Sequence, residues 1–552
     1  MRVLGINALF HDPAAALVVD GRVVAAAEEE RFSRRKHGKR PVPFSAWETP
    51  DLAAAWCLAA GGIDAGALDA VAYSYDPALH LTPEQLGVHD PWDHLRLTYA
   101  QRAPAFLAEA LPGLDPDRVR FVPHHVAHAA SAGLAAPWKG SCAVLVLDGR
   151  GERHSHLAGV YRNGTLEVLA SQQLPHSLGL LYEEATAHLG FLRSSDEFKV
   201  MALASYGTPR DAEVLRESVH ATGDGGFVSA GVDFSALAKP RRPEEDWTAE
   251  HADLAAAVQL VTEEVLLDLA RWLRETTGET RLALAGGVAL NCVANSRLAA
   301  ESGFDELWVQ PAAGDAGTAL GGALELSWAG GEETGAFPGA DLGRGWSDDE
   351  IEALLQTAQV AYRRSPDVAE EVAEALADNA IVAWFQGRSE FGPRALGHRS
   401  LLAHPSPAGN VERLNDVKGR EQFRPVAPMV RVERAREIFG RGPVPSPYML
   451  FVHDVAPEWR DRIPAVVHVD GTARIQSVDP ADEPLLARML TAFERRTGLP
   501  VVVNTSLNTA GRPMVDSPRD ALECFGSGPI DLLAIGPFVV RRRWAFQGAD
   551  RD

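Results

Sequence analysis

His124 and His128 stand four residues apart in the stretch Val119-Arg-Phe-Val-Pro-His124-His125-Val-Ala-His128-Ala-Ala-Ser-Ala. On a helix that spacing puts both imidazoles on one face, within reach of a single ion. The alanine-rich continuation favours a helix there, following a strand-like run that ends at Pro123. The apolar run Ala143-Val-Leu-Val-Leu then delivers Asp148 at its C-terminal end, into Asp148-Gly149. Two imidazoles and a carboxylate suit Fe(II) or Zn(II) better than Mg(II). The alternative is a helix start with capping histidines, and His125 competes as a ligand.

Glycine loops come next. Gly286-Gly287 and Gly314-Asp315-Ala-Gly317 each precede a helix start. Missing side chains let phosphate oxygens approach backbone N–H groups, and the helix dipole favours the anion. With the Asp148-Gly149-Arg-Gly151 turn they point to nucleotide binding, the candidate contacts being Gly149, Gly286, Gly287, Asn291, Gly314 and Gly317. Asp315 beside a phosphate requires an intervening cation, so it joins His124, His128 and Asp148 as a candidate ligand; a helix N-cap is its other reading.

A basic run stands out in the C-terminal half: Gly387-Arg388-Ser-Glu390-Phe-Gly-Pro-Arg394-Ala-Leu-Gly-His398-Arg399-Ser, then Lys418-Gly-Arg420-Glu-Gln-Phe-Arg424-Pro. Arginine forks bind phosphate and carboxylate bidentately and lysine supplies a point charge. A solvated charged face is the bland alternative, but Gly, Pro and Phe interleave the charges as in a shaped loop. Further on, Val501-Val-Val-Asn504-Thr-Ser506-Leu-Asn508 runs from a buried strand into a hydroxyl- and amide-rich turn that is either a phosphate contact or a capping loop. His11 sits in the first polar turn, Phe10-His11-Asp12-Pro13, placed to face a cleft, and the segment Glu197 to Gly207 could line that cleft.

The elements that must carry these groups show a repeat. Arg2 to Glu28 and Ser141 to Ala170 each read as strand, polar turn, strand, tight hairpin, strand, with Asp20-Gly21 and Asn163-Gly164 at the hairpins. Such a meander followed by helices is how the actin-like fold builds its two lobes. Helices are expected over Trp47–Ala60, Pro91–Leu111, 179–189 and 252–276. A Gly-, Pro- and acid-rich break at about 328–348 reads as a linker, and a second domain opens with helices Asp348–Gln356 and Val368–Asn379 and the strand 380–385.

The chain of 552 residues is too long for one core. Its net charge of −22 opposes a broad nucleic-acid surface, so anionic ligands must be held by local clusters. Cys57, Cys142, Cys292 and Cys524 form no Cys-x-x-Cys pair, which argues for reduced thiols in a cytoplasm and against a cysteine zinc site. The N-terminus reads as a strand with no signal peptide, and no apolar run approaches the ~20 residues of a membrane span.

Taken together these motifs resemble the NodU/CmcH family of O-carbamoyltransferases, several of which tailor antibiotics. The resemblance is carried by Phe-His11-Asp-Pro-Ala-Ala-Ala-Leu, His124-His125-x-x-His128-Ala-Ala-Ser-Ala, Leu-Asp148-Gly149-x-Gly151-Glu, Gly286-Gly287-Val-Ala-Leu-Asn291, Gly-Asp315-x-Gly, Glu390-Phe-Gly-Pro-Arg394-Ala-Leu-Gly-x-Arg399-Ser and Lys418-x-Arg420-Glu-x-Phe-Arg424-Pro, and it covers essentially the whole chain. It implies an α/β, actin-like (ASKHA) two-lobed transferase domain over residues 1–335, followed by an α+β, YrdC-like, carbamoyl-adenylate-forming domain over 345–552. It implies Fe(II) on His124, His128, Asp148 and Asp315, with manganese and zinc admitted by the same donors. It also implies a pocket for ATP, with Mg(II), and carbamoyl phosphate at Arg388, Arg394, Lys418, Arg424, Ser506 and Asn508, the last two matching the YrdC Ser-x-Asn signature. Lys418 and Arg424 become catalytic candidates, and His11 falls where the family places its transferase histidine.

The expected chemistry is activation of carbamate as carbamoyl-adenylate, passage through a closed interior to the N-terminal cleft, and transfer to a hydroxyl of a small molecule, an aminoglycoside or other antibiotic. No nucleic-acid or membrane partner is expected. Three alternatives weigh less. Hydrogenase-maturation carbamoylation would need Cys-x-x-Cys fingers, and threonylcarbamoyl-type tRNA modification a basic stripe. A non-catalytic nucleotide-sensing module would have lost His11, Lys418 or the ligands, and all are present.

Overall fold

The computed structural model describes residues 1–38, 48–229, 231–509 and 511–545. The chain divides into two compact units, Met1–Gly339 and Ala340–Asp552.

The first unit holds the duplication. Strands β1 (Arg2–Asn7), β2 (Ala14–Val19) and β3 (Arg22–Glu28) form an antiparallel meander. Helix α1 (Asp51–Ala60) leads to β4 (Ala70–Tyr73), helix α2 (Asp93–Ala110) to β5 (Val119–Phe121), and both strands join the β1 side in parallel. The sheet order is β3-β2-β1-β4-β5. Helix α3 (His124–Gly133) follows. The second copy starts with β6 (Cys142–Leu147), β7 (His154–Arg162) and β8 (Thr165–Gln173), again an antiparallel meander. The long helix α4 (Ala249–Thr277) precedes β9 (Arg281–Ala285), helix α5 (Cys292–Glu301) precedes β10 (Glu306–Val309), and helix α6 (Ala316–Ala329) closes the unit. The order β8-β7-β6-β9-β10 repeats that of the first sheet, with β9 parallel to β6 and β10 parallel to β9. This repeated α/β topology is the two-lobed actin-like architecture. Both hairpin tips adopt the left-handed backbone of a type I′ turn, Asp20 and Gly21 at φ 49° and 72°, Asn163 and Gly164 at 51° and 72°.

Core packing fixes where the lobes meet their helices. Leu4, Ile6, Leu17, Val71, Tyr73, Ala100 and Leu107 bury the helix face of the first sheet. Helix α6, ten of whose fourteen residues are alanine, glycine or leucine, lies against both β1 and α3 at very short range. A Cβ on Gly321 would stand 1.8 Å from the Ala127 carbonyl oxygen, so only glycine fits. Several element ends differ from their sequence signals. Helix α1 starts at Asp51 after Pro50, and Trp47 lies outside the described residues. Helix α6 runs on to Ala329, one turn's edge into the expected linker. No helix of the described residues is long and apolar enough to cross a membrane.

The second unit is α+β. Its sheet has eight strands: β11 (Arg363–Arg364), β12 (Val382–Phe385), β13 (Arg399–Ala403), β14 (Ala427–Arg431), β15 (Gln476–Val478), β16 (Val501–Ser506), β17 (Leu532–Ile535) and β18 (Phe538–Arg541). Their order is β11-β18-β17-β12-β13-β16-β14-β15, with parallel and antiparallel pairs mixed. Trp384, Phe385, Phe493, Phe525 and Phe538 fill its core. Helix α7 (Val368–Ala377) ends two residues before Asn379, whose φ of +61° cannot continue it. Helix α8 (Asn410–Lys418) places Lys418 as its last residue.

Candidate functional site

The four expected ligands converge. Helix α3 supplies His124 and His128, one turn apart, and their ring centroids lie 4.7 Å from one another. Asp148 follows β6, and Asp315 stands at the N-terminus of α6. His124 Nε2 is 3.3 Å from Asp148 Oδ2 and 3.7 Å from Asp315 Oδ1. His128 Nε2 is 3.8 and 3.6 Å from the same two carboxylates. Each side chain is buried, His128 completely.

Three observations fit this quartet to a metal ion. His128 Nε2 is buried with no hydrogen-bond partner, which is costly unless something else satisfies it. Donors about 2.0–2.2 Å from a shared ion stand roughly 3–3.5 Å apart, close to the spacings observed. The outer groups aim the donors: Ser74 O accepts from His124 Nδ1 at 3.1 Å, so Nε2 faces inward, and the Gly287 N–H donates to Asp148 Oδ1 at 2.9 Å, so Oδ2 faces inward. Buried Glu152 braces the same helix end, Oε1 accepting from the His124 and Asp76 N–H groups at 2.8 Å. His125 lies outside the quartet.

The electrostatics are strongly coupled. Burial alone would depress both imidazoles, but Asp148 and Asp315 hold His124 well above its ordinary 6.5 and raise His128 too. Burial would raise the carboxyls, but His124 and His128 hold Asp148 well below its ordinary 3.8, and they lower Asp315 against the added opposition of Asp148. Asp315 does not cap its helix with its side chain. Its other oxygen, Oδ2, accepts from the His11 N–H at 3.1 Å, so the expected transferase histidine adjoins the quartet. His11 Nδ1 is 2.8 Å from Asp12 Oδ2, and its Nε2 is 2.5 Å from the Ser194 carbonyl oxygen.

The glycine loops have another use than the one their spacing suggests. Gly286 N–H donates to Ala313 O, Gly287 N–H to Asp148, and Gly317 N–H to Gly314 O, so none of these three is free to cradle a phosphate. Gly286, at φ +92°, is needed because a Cβ would sit 2.0 Å from Leu147 O. Asn291 caps α5 through Ala294 N–H and exchanges hydrogen bonds with Gln259. At Gly149 and Gly314 an added Cβ would make ordinary van der Waals contact, at 3.6 and 3.8 Å, so no close neighbour demands glycine there.

In the second unit Lys418, Ser506 and Asn508 do meet. The buried ammonium donates to the Ser506 hydroxyl at 2.8 Å, to the Ser506 carbonyl and to Asn508 Oδ1, while Ser506 Oγ donates to Asn508 Oδ1 at 2.8 Å. Burial, aided by Arg420 and then Arg424, pushes Lys418 well below its ordinary 10.5. Burial with Arg424 and Arg474 lowers Arg420 to about 9. Arg474, which sequence reading missed, has its Nε buried without a hydrogen-bond partner. Four cations thus crowd together, with Glu421 pairing Arg424 at 3.4 Å. Arg388 is placed differently from expectation. Its Nε and a terminal nitrogen donate to the Gly343 and Leu342 carbonyls at 2.9 and 2.6 Å, a tether for the chain entering the unit. Arg394 is half-buried in the loop before β13. Glu390 closes that loop, Oε1 accepting from the N–H groups of Leu396, His398 and Arg399.

A family profile described as "Carbamoyltransferase N-terminus" matches residues 2–80 and 94–324, and one described as "Carbamoyltransferase C-terminus" matches residues 373–542. The chain belongs to the carbamoyltransferase family. This carbamoyltransferase is 38% identical to nodulation protein NolNO of Sinorhizobium fredii (strain NBRC 101917 / NGR234), over 98% of its own length and 80% of that protein. It is 31% identical to nodulation protein U of Rhizobium tropici, over 93% and 92% of the two chains. A solved structure of T. kodakarensis HypF aligns with 60% of the chain and 48% of its own, at 14% identity and a TM-score of 0.33.

Sequence reading of this carbamoyltransferase also missed His37. Its Nδ1 is 2.9 Å from Asp12 Oδ1 and its Nε2 is 2.8 Å from Ser195 Oγ, so Asp12 bridges two imidazoles. Nothing in the local pattern around Lys36-His37-Gly38 signals this; only the fold brings it to the β1–β2 turn.

Proposed function

We propose that this carbamoyltransferase is an ATP-dependent O-carbamoyltransferase acting through carbamoyl-adenylate. ATP, with Mg(II), and carbamoyl phosphate are consumed in residues 345–552. Carbamoyl phosphate gives up its phosphate to water, a carbamate oxygen attacks the α-phosphorus of ATP, and pyrophosphate leaves. Transfer takes place in residues 1–335, where the oxygen of an acceptor hydroxyl attacks the carbamoyl carbon and AMP departs with the bonding pair. The product is the O-carbamate of a small molecule such as an antibiotic or another natural product.

The observation that carries this reading is the crowd of cations around buried Lys418. Arg420 and Arg424 add to the cost of keeping buried Lys418 charged, and Arg424 and Arg474 to that of Arg420; Glu421 offsets part of this, and an anionic occupant would offset more. Phosphates and carbamate are such occupants. Ser506 and Asn508 hold the Lys418 ammonium in place before they arrive, and Arg394 is assigned to the same substrates. In the first unit Gly149 and Gly314 are assigned to the adenylate. His124, His128, Asp148 and Asp315 would hold an ion of the Fe(II) or Zn(II) kind, which would supply a Lewis-acid grip on the adenylate's phosphate or carbonyl oxygen. His11 assists attack by the acceptor hydroxyl through Nε2, as base or as oxyanion partner, with Asp12 fixing the ring through Nδ1.

Lys418→Ala tests the division of labour. It abolishes pyrophosphate exchange into ATP in the presence of carbamoyl phosphate, and leaves transfer from supplied carbamoyl-adenylate intact. Loss of both activities together in folded protein refutes the assignment of two steps to two units.

A further inference from the structure

The turn around His11 is built under strain. Phe10, Asp12, His37 and Ser194 all hold left-handed backbone, at φ 58°, 43°, 60° and 58°, and none is glycine. Left-handed backbone is disfavoured for any residue with a Cβ, and strain of this kind collects at functional sites. The strained residues frame a single object: two imidazoles joined by one carboxylate. Asp12 Oδ2 lies 2.8 Å from His11 Nδ1 and its Oδ1 2.9 Å from His37 Nδ1, and the rings stand 4.2 Å apart. The two Nε2 atoms therefore face outward as a pair. What they face is one oxygen each, from adjacent residues: the Ser194 carbonyl at 2.5 Å and the Ser195 hydroxyl at 2.8 Å.

Two side chains keep this arrangement in register. Asn7 Nδ2 donates to the His11 and Asp12 carbonyls at 2.7 and 2.9 Å. Glu197 Oε1 accepts from the Ser194 N–H at 2.7 Å and so holds the serine turn against the imidazoles. The His11 N–H on Asp315 sets the pair beside the quartet.

We propose that the acceptor of this carbamoyltransferase carries two neighbouring oxygen functions, a 1,2-diol of the kind found on sugars, and that His11 and His37 take one oxygen each. The Ser194 carbonyl and Ser195 hydroxyl hold those two places when no acceptor is bound. The inference rests on the transfer reading above. In the step itself the hydroxyl on His11 forms the new C–O bond to the carbamoyl carbon. The acceptor displaces the Ser194 carbonyl and the proton His11 Nε2 gave it passes to solvent; the carbamoyl–phosphate C–O bond then breaks, AMP leaves with the electron pair, and the acceptor's proton goes to the freed Nε2. His37 bonds the neighbouring oxygen and is a positioning residue.

The test uses the full chain, supplied carbamoyl-adenylate and two surrogate acceptors, propane-1,2-diol and propane-1,3-diol, with carbamate ester read by mass spectrometry above the uncatalysed rate. We expect kcat/KM to favour the 1,2-diol about tenfold, the worth of one well-placed hydrogen bond. His37→Ala is expected to remove that preference by raising KM for the 1,2-diol about tenfold more than for the 1,3-diol, with kcat changed alike for both. A variant that merely folds poorly lowers both acceptors alike. Equal use of the two diols by the unaltered protein, transfer to neither, or parallel loss of both in His37→Ala overturns the proposal. Pyrophosphate exchange measured on the same preparation keeps the two ideas apart: its absence removes the adenylate reading, and its presence without a diol preference removes the diol clamp alone.

Discussion

Glu29 ties the segment that carries His37 to the first lobe, and its charge makes that tie depend on pH. The side chain is buried at the end of β3, and its Oε2 accepts from the Ala53 N–H at 2.9 Å, at the start of α1. Burial pushes its carboxyl up to about 7 from an ordinary 4.5, against the pull of the Ala53 N–H. Below pH 4.5 folded and unfolded chains both hold the proton. Between the two values the unfolded chain gives it up first, so stability falls as pH rises, and above about 7 the loss is complete. A shift from 4.5 to about 7 corresponds to about 3 kcal/mol at pH 8 and under ~1 kcal/mol at pH 5. Glu29→Gln keeps an amide oxygen to accept the same N–H and never ionises. It is therefore expected to be more stable than the unaltered protein at pH 8 by about that amount. The unit Met1–Gly339 has an unfolding entropy of ~0.7 kcal/mol/K, so the midpoint rises by ~4–5 °C. Scanning calorimetry of both proteins at pH 5 and pH 8 measures it. An equal gap at the two pH values, or none at pH 8, shows that Glu29 is not held neutral by burial.

Asp148→Asn leaves an oxygen for the Gly287 N–H but removes a charge from the quartet. Metal content after dialysis, read by mass spectrometry on protein with unchanged circular dichroism, is expected to fall at least tenfold; a full equivalent of ion in the variant rules the quartet out as the metal centre. Arg399→Lys addresses the second unit. The guanidinium, fully buried, donates to the Gln386, Gly387, His398 and Arg344 carbonyls and lies 3.7 Å over the Phe385 ring. Lysine cannot reproduce that fork, so the variant is expected to lose about 3 kcal/mol or more in denaturant unfolding, and a loss under about 1 kcal/mol contradicts the role.

Where chemistry rests on short-range spacing, it was legible from the chain. The His124/His128 pair needs only a helix, and the Asp20-Gly21 and Asn163-Gly164 hairpins need only the conformations that Asn, Asp and Gly tolerate. The duplicated sheet order follows from those meanders. Asp315 was read as a ligand on charge grounds, and the fold brings it to His124 across almost two hundred positions. What stayed hidden depends on who takes each polar group. Gly286, Gly287 and Gly317 look like a phosphate cradle until their N–H groups are followed to Ala313, Asp148 and Gly314. Arg388 looks like a phosphate ligand until its guanidinium is found on the backbone of Leu342 and Gly343. Glu152 and His37 carry no local signature, because their partners lie far away in sequence.

The turn after β1 and the turn after β6 occupy equivalent places in the two halves of the duplication. One carries His11 and Asp12, the other Asp148 and Gly151. The same place in the repeat thus presents an imidazole joined to a carboxylate in one half and a carboxylate of the His–Asp quartet in the other. A cut before β6 parts His124 and His128 from Asp148 and Asp315, so neither fragment alone holds the quartet.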